Sequence, residues 1–243
     1  MVNIFPVDKV RHTGKGWRRP MGYGFVAAEA LAPISGSEFA NAATAMPIGF
    51  VEKAGRYWPV GLMGLTKGSN VFVGPTGQWL GNYVPAVLRS YPFSLRRTGE
   101  TEPPILCIDE DSDLIVDDAG EAAEKFFEAD GTPSSSSKAL TEFLGRLAHD
   151  QTVTALAVAA LQEAGVIKPW PLTVPLGNQQ VSVGGLHCVD EKALNALDDA
   201  TFLKLRKASA LVIAYGQLLS MGQVSVLARL SLVQQQTAQA GQG

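Results

Sequence analysis

Asn70, Phe72, Trp79, Tyr83, Arg89, Tyr91 and Phe93 concentrate most of what this chain offers for recognition chemistry. An arginine presents a planar fork that matches a carboxylate or phosphate, and Trp79 and Tyr83 would supply flat walls beside it. The seven therefore read as a ligand- or partner-binding surface. A second reading has Arg89 stapling a loop to backbone carbonyls while the rings fill the core, as aromatic residues usually do. Both stay open on sequence alone. The surrounding stretch from Pro47 to Phe93 is dense in Gly, Pro and aromatic residues, which fix backbone shape and demand walls to pack against.

No other constellation completes a known chemistry. His187, Cys188 and Asp190 are competent ligand types, but a closed zinc site needs four donors and no second Cys or His follows at short spacing. Asp109, Asp111 and Asp113 resemble the start of a calcium loop, yet Leu114 stands where the loop requires glycine and Gly120 where it requires glutamate. Gly14-Lys15-Gly16 lacks the spacing and the Ser/Thr of a phosphate-binding loop, and neither a dinucleotide fingerprint nor a nucleophile elbow is present. No catalytic residue, metal ligand or cofactor is assigned. An enzyme is the less favoured class, and its best form would use Arg89 to clamp a small anionic or aromatic metabolite, with His12, Tyr83 or Tyr91 handling a proton.

These residues must be positioned by mixed elements. Strands are expected at Tyr23 to Ala28, Ile48 to Lys53, Tyr57 to Leu65, Val71 to Val73, Phe93 to Arg97 and Ile105 to Asp109, each bounded by Gly or Pro signals. A short helix is expected from Glu38 to Ala45 with Ser37 as its cap, and another from Glu121 to Glu128. Leu140, Phe143, Leu144 and Leu147 give a helical core face within a long helix from Ser137 to Ala164, stopped by Gly165. That face turns polar at His149, Asp150 and Gln151, which predicts a kink or an emergence into solvent. A hairpin about Leu176-Gly177-Asn178 follows, then a helix capped by Asp190 and a last helix from Thr201 to Gln234 with a break near Gly216 or Gly222. The fold class is α+β, with a strand-rich part over 1–115 packed with a mainly helical part over 116–243 in one continuous globular unit.

The spacing of several of these residues resembles the SapC family, named after a gene of a bacterial surface-layer locus. The likeness is carried by Asn70-Val71-Phe72-Val73, Trp79, Tyr83-Val84-Pro85 and Arg89-Ser90-Tyr91-Pro92-Phe93. It extends upstream through His12, Phe25, Glu38-Phe39 and Pro47-Ile48. Downstream it runs through Leu106-Cys107-Ile108-Asp109, Phe127 to Gly131, Val189-Asp190-Glu191 and Leu194 to Leu197. Ser90 departs from the pattern, since the family usually has a second arginine there, and this weakens a paired-arginine clamp. The resemblance implies a context of bacterial surface layers and envelope transport, and it carries no reaction or cofactor.

Composition bounds the rest. With 243 residues, 46% hydrophobic and 18% charged, the chain can bury a full core, and a net charge of −3 gives no electrostatic case for nucleic acid. Two cysteines, Cys107 and Cys188, form no disulfide framework and are expected to be buried thiols. The uncharged run from Ala208 to Ala228 is long enough to span a bilayer, but its Ser, Gln, Gly and Tyr content suits a buried helix of a soluble protein better than a stable membrane span. No basic n-region precedes an apolar run at the N-terminus, so the expected location is cytoplasmic. The expected function is a non-catalytic binding or accessory protein of an envelope-associated system, with a protein or small-molecule partner. A structural homo-oligomer is a further alternative.

Overall fold

The computed structural model describes residues 3–240 except 98, 100, 101, 119, 121 and 122. From the N-terminus run β1 (Ile4–Pro6), α1 (Lys9–His12), β2 (Gly16–Trp17), β3 (Leu31–Pro33), α2 (Phe39–Ala42), β4 (Ile48–Lys53), β5 (Arg56–Leu62), α3 (Ala86–Arg89), β6 (Phe93–Arg96), β7 (Ile105–Asp109), β8 (Ile115–Val116) and β9 (Glu124–Lys125). There follow α4 (Ser135–Glu163), β10 (Ile167–Pro169), β11 (Leu172–Leu176), β12 (Gln179–Val183), β13 (Leu186–Val189), α5 (Glu191–Asn195), α6 (Asp199–Lys207), α7 (Ala210–Ser220) and α8 (Val224–Ala240). The fold is α+β, with a strand-rich N-terminal half and a mostly helical C-terminal half.

Contacts gather the chain into two compact units, each built from two stretches of sequence. The smaller holds residues 1–21 and 89–149. Its sheets are β1-β7-β6 and β8-β2-β9, both antiparallel. Trp17, Phe93, Ile108, Phe126 and Leu144 form its core, with Trp17 meeting Phe93 edge-on at 5.1 Å between ring centroids and Phe126 at 4.9 Å. The larger unit holds residues 22–88 and 150–243. Its five-stranded antiparallel sheet runs β10-β13-β4-β5-β3, so the helical half of the sequence donates two strands to a sheet begun far upstream. Phe39, Met46, Ile48, Phe50, Leu62, Met63, Phe72, Leu161, Leu194 and Leu205 are sealed in its core.

Local chemistry accounts for most element ends. Ser134 Oγ accepts from Ser137 N at 3.1 Å, so Ser134, not Ser137, caps α4. Gly165 ends that helix at φ +67°, and Val166 N bonds back to Leu161 O. The helix is unbroken through His149, Asp150 and Gln151. Its polar interruption marks the passage from one unit to the other: Leu144 belongs to the small core, and Ala157, Val158 and Leu161 to the large one. Gly177-Asn178 joins β11 to β12 as a two-residue loop, and Asp190 and Asp198 cap the helices after them.

Several expectations fail for tertiary reasons. Tyr23 to Ala28 is no strand: Gly24–Val26 is a 3-10 turn, because Tyr23 N bonds to Gly77 O and Val26 O accepts from Asn70. Val71 to Val73 forms only an isolated bridge, Val73 to Trp79. The helix expected over 121–128 lies partly outside the described residues, and its described part contains strand β9 followed by Phe126, drawn fully into the small core. The first short helix is capped by Ser35 rather than Ser37, through a box in which Glu38 bonds back to Ser35 N. The break expected in the last helix falls at Gly222, in a 3-10 turn at Met221–Gln223, while Gly216 lies within α7, and a further break that the sequence reading did not include occurs at Ser209, which is left-handed at φ +56°. The stretch Ala210–Thr237 is long and apolar enough to cross a membrane by length and composition, with mean hydropathy 1.5, and 33% of its most apolar window is buried.

Candidate ligand-binding groove

Alternation along β4 and β5 decides which side chains share a face. The two strands pair Val51 with Trp58, Lys53 with Arg56 and Gly49 with Val60. Opposed residues in an antiparallel pair point the same way, so Val51, Lys53, Arg56, Trp58 and Val60 lie on one face, joined by Pro33 of β3 opposite Val60. Glu52, one residue along, points to the other face. Ala54 and Gly55 close the hairpin at φ +52° and +73°, the left-handed pair that a two-residue turn between twisted strands requires. Gln162 Nε2 of α4 donates to Gly55 O at 2.9 Å, tying the turn to the helix.

Between this face and α4 lies an open groove of about 800 Å³. Ile34, Val51 and Val60 give it an apolar floor, Trp58 stands at its side 39% exposed, and Gln151, Thr154 and Ala155 face them from α4. Lys53 and Arg56 are the charged residues of its lining. Thr154 Oγ1 donates to Asp150 O and accepts from Gly36 N at 2.6 Å, so its hydroxyl is already committed. A second hollow of about 630 Å³ shares Arg56, Trp58 and Ala155 and adds Leu156, Gln162 and Glu163.

The residues singled out in the sequence divide between the two units. In the larger, Asn70 is fully buried, donating to Val26 O at 3.0 Å and accepting from Phe72 N at 3.0 Å. Phe72 is also fully buried and stacks on Trp79 at 5.4 Å and 17°. A Cβ on Gly81 would come within 2.8 Å of Phe72 and 2.9 Å of Trp79, which explains glycine there. Trp79 donates its indole N–H to Tyr83 O at 2.8 Å, and Tyr83 donates its hydroxyl to Glu38 at 2.8 Å. In the smaller unit Phe93 is core, Tyr91 is half-buried, and Arg89 is exposed with its guanidinium 5.6 Å from the Phe143 ring centre. His12, named for proton handling, is 2% exposed, packs on Phe126, and has Nε2 3.5 Å from Glu110.

Sequence reasoning gave no site role to Lys53, Arg56 and Trp58, and it read Glu38 as a helix start and as part of the family resemblance, with no buried hydrogen-bonding role. The signals were present. Two alternating segments flank Ala54-Gly55, and continuing that alternation would have put both cations and Trp58 on one face. Ser35 and Glu38 sit at capping-box spacing.

Among the described residues no three or more His, Cys, Asp or Glu side chains converge closely enough to hold a metal ion. Asp190 is occupied as a helix cap and as the partner of Lys168 at 3.1 Å. Burial pushes both thiols up, with Arg96 partly offsetting this at Cys107 and Lys168 at Cys188. We expect native protein to react with a thiol reagent far more slowly than denatured protein, which should release two equivalents. Because folding raises these pKa values, the protonated thiols contribute stability that is fully present below the ordinary value of about 8.5 and is lost as pH rises through the folded ones. A denaturation series from pH 7 to 10 checks the sign.

A family model described as SapC matches residues 7–227. No curated protein and no solved structure matches the chain.

Proposed function

The chain belongs to the SapC family, and from that premise we propose that it is a non-catalytic binding or accessory protein of a bacterial envelope-associated system, acting from the cytoplasm in export or uptake and holding its ligand in the groove between the β4–β5 hairpin and α4. The observation that carries the reading is the groove itself. Concave, mainly apolar sites with a few polar groups at one end are where proteins bind small molecules, and a volume of about 800 Å³ lies within the usual range of roughly 300–1,000 Å³. The residues from Asn70 to Tyr83 support this reading as framework. Their polar atoms bind the body of the larger unit, leaving Trp58 as the more exposed indole.

Ala155 of α4 lines both hollows, so Ala155→Trp fills the groove from the side that carries no charge. In cells lacking this protein, wild type should restore the envelope phenotype, and Ala155→Trp should fail to do so while keeping a wild-type melting temperature. Full complementation by a folded Ala155→Trp protein would remove the groove from the function. Cell fractionation tests the location: a purely extracellular protein would sink the cytoplasmic form of the proposal.

A further inference from the structure

Resting on the groove as the binding site, we propose that its ligand is an amphipathic organic anion, with an apolar body along Trp58 and Val60 and a carboxylate or phosphate head between Lys53 and Arg56.

Charge placement points to the head group. Lys53 and Arg56 are direct cross-strand partners on the same face. Like charges in that arrangement repel, so the pair weakens the hairpin unless something neutralises it. Among the described residues none does so, and neither side chain has an ion-pair partner there. Alternation turns the adjacent Glu52 away, and Glu163 lies in the second hollow outside ion-pair distance of Arg56. An anion bridging the two cations relieves the repulsion, and the guanidinium fork gives it a bidentate seat while Lys53 adds a point charge.

The remaining lining selects the body. Beyond the two cations, Gln151 and Thr154 are the other polar residues of the lining, Thr154 with its hydroxyl committed within the fold, and the remaining surface is apolar, with the Trp58 ring and Val51 above a buried floor of Ile34 and Val60. A purely polar anion would strip water from this surface without regaining hydrogen bonds, whereas an alkyl or aromatic body gains by covering it. The geometry is held in advance by strand pairing and by the bond from Gln162 to Gly55 O, which reduces the ordering needed on binding.

The test is calorimetric titration of the full chain with decanoate, decyl phosphate, decanol, acetate and inorganic phosphate, all below micellar concentrations. At least one decyl anion should bind about tenfold or more tightly than decanol, and acetate and inorganic phosphate should not saturate over the same range. The stronger of decanoate and decyl phosphate identifies the head group. The double variant Lys53→Gln, Arg56→Gln should lose about tenfold or more in affinity for that anion and keep its affinity for decanol, with a melting temperature at or above that of wild type because the cross-strand repulsion is removed. Equal binding of decanol and the decyl anions, or full anion binding by the double variant, would overturn the proposal while leaving the groove as a binding site. Binding of the anion that survives Ala155→Trp would place it elsewhere and overturn the groove reading as well. No binding of any decyl compound would also overturn the proposal, and the complementation result would then judge the groove independently.

Discussion

Glu38→Ala should destabilise the larger unit by about 3–5 kcal/mol, because one buried carboxyl group satisfies two backbone N–H groups and a tyrosine hydroxyl and so ties the Ser35–Glu38 turn to the segment from Tyr83 to Ala86. Glu38 is 5% exposed. Its Oε2 accepts from Ser35 N at 2.9 Å, and its Oε1 accepts from the Tyr83 hydroxyl at 2.8 Å and from Ala86 N at 2.6 Å. Alanine leaves Ser35 N and Ala86 N as buried donors with no acceptor, and an unmade buried hydrogen bond costs more than a made one contributes. Glu38→Gln sharpens the test. Its oxygen can keep Tyr83 and Ala86, but its amide nitrogen then faces Ser35 N, donor against donor, so its unfolding midpoint should fall between wild type and alanine. Tyr83→Phe should lose about 1 kcal/mol, the net worth of one hydrogen bond. Urea denaturation followed by circular dichroism measures all three, and an alanine variant as stable as wild type would refute this account.

Gln217→Leu should cost a similar amount, about 2–5 kcal/mol, though it keeps a side chain of comparable bulk and adds apolar character to a buried site. The pairing of β13 with β4 extends only over Leu186 to Val51 and His187 to Phe50. Past that point Gln217, fully buried on α7, takes over. Its Oε1 accepts from Val189 N at 2.8 Å and its Nε2 donates to Ile48 O at 3.1 Å, so the side-chain amide serves both strands where their own ladder has stopped. Ser220, one turn later, accepts from Ile48 N at 2.9 Å. Leucine satisfies neither backbone group. Gln217→Glu still accepts from Val189 but sets an oxygen against Ile48 O, so it should not rescue. If thermal unfolding places Gln217→Leu at or above wild type, the amide is not what joins α7 to the sheet.

These two residues show where reading the sequence reaches its limit. The strands Ile48 to Lys53 and Ile105 to Asp109, the Gly177-Asn178 hairpin and the Asp190 cap are legible because each follows from neighbouring residues: alternation, a turn dipeptide, a side chain that accepts from the next turn. Phe126 was misread for the opposite reason. A Phe-Phe pair among acidic residues has helical character locally, yet Phe126 is drawn among Trp17, Phe93 and His12 by a core assembled from distant segments.

By itself the sequence determined the family, the α+β class and the elements whose ends are set by local backbone chemistry, since hydrogen bonds within a few residues depend on little else. It also marked the change at His149, where the apolar stripe of α4 lapses. Only the tertiary structure decided that Asn70 and Tyr83 direct their polar atoms to Val26 and Glu38, that Glu38 also takes Ala86 N, and that Lys53, Arg56 and Trp58 face a groove beneath α4. Each of these depends on which segments, more than forty residues apart in the hydrogen bonds and about a hundred apart at the groove, arrive at the same place. That is fixed by the burial of a shared core, and no local pattern of residues encodes it.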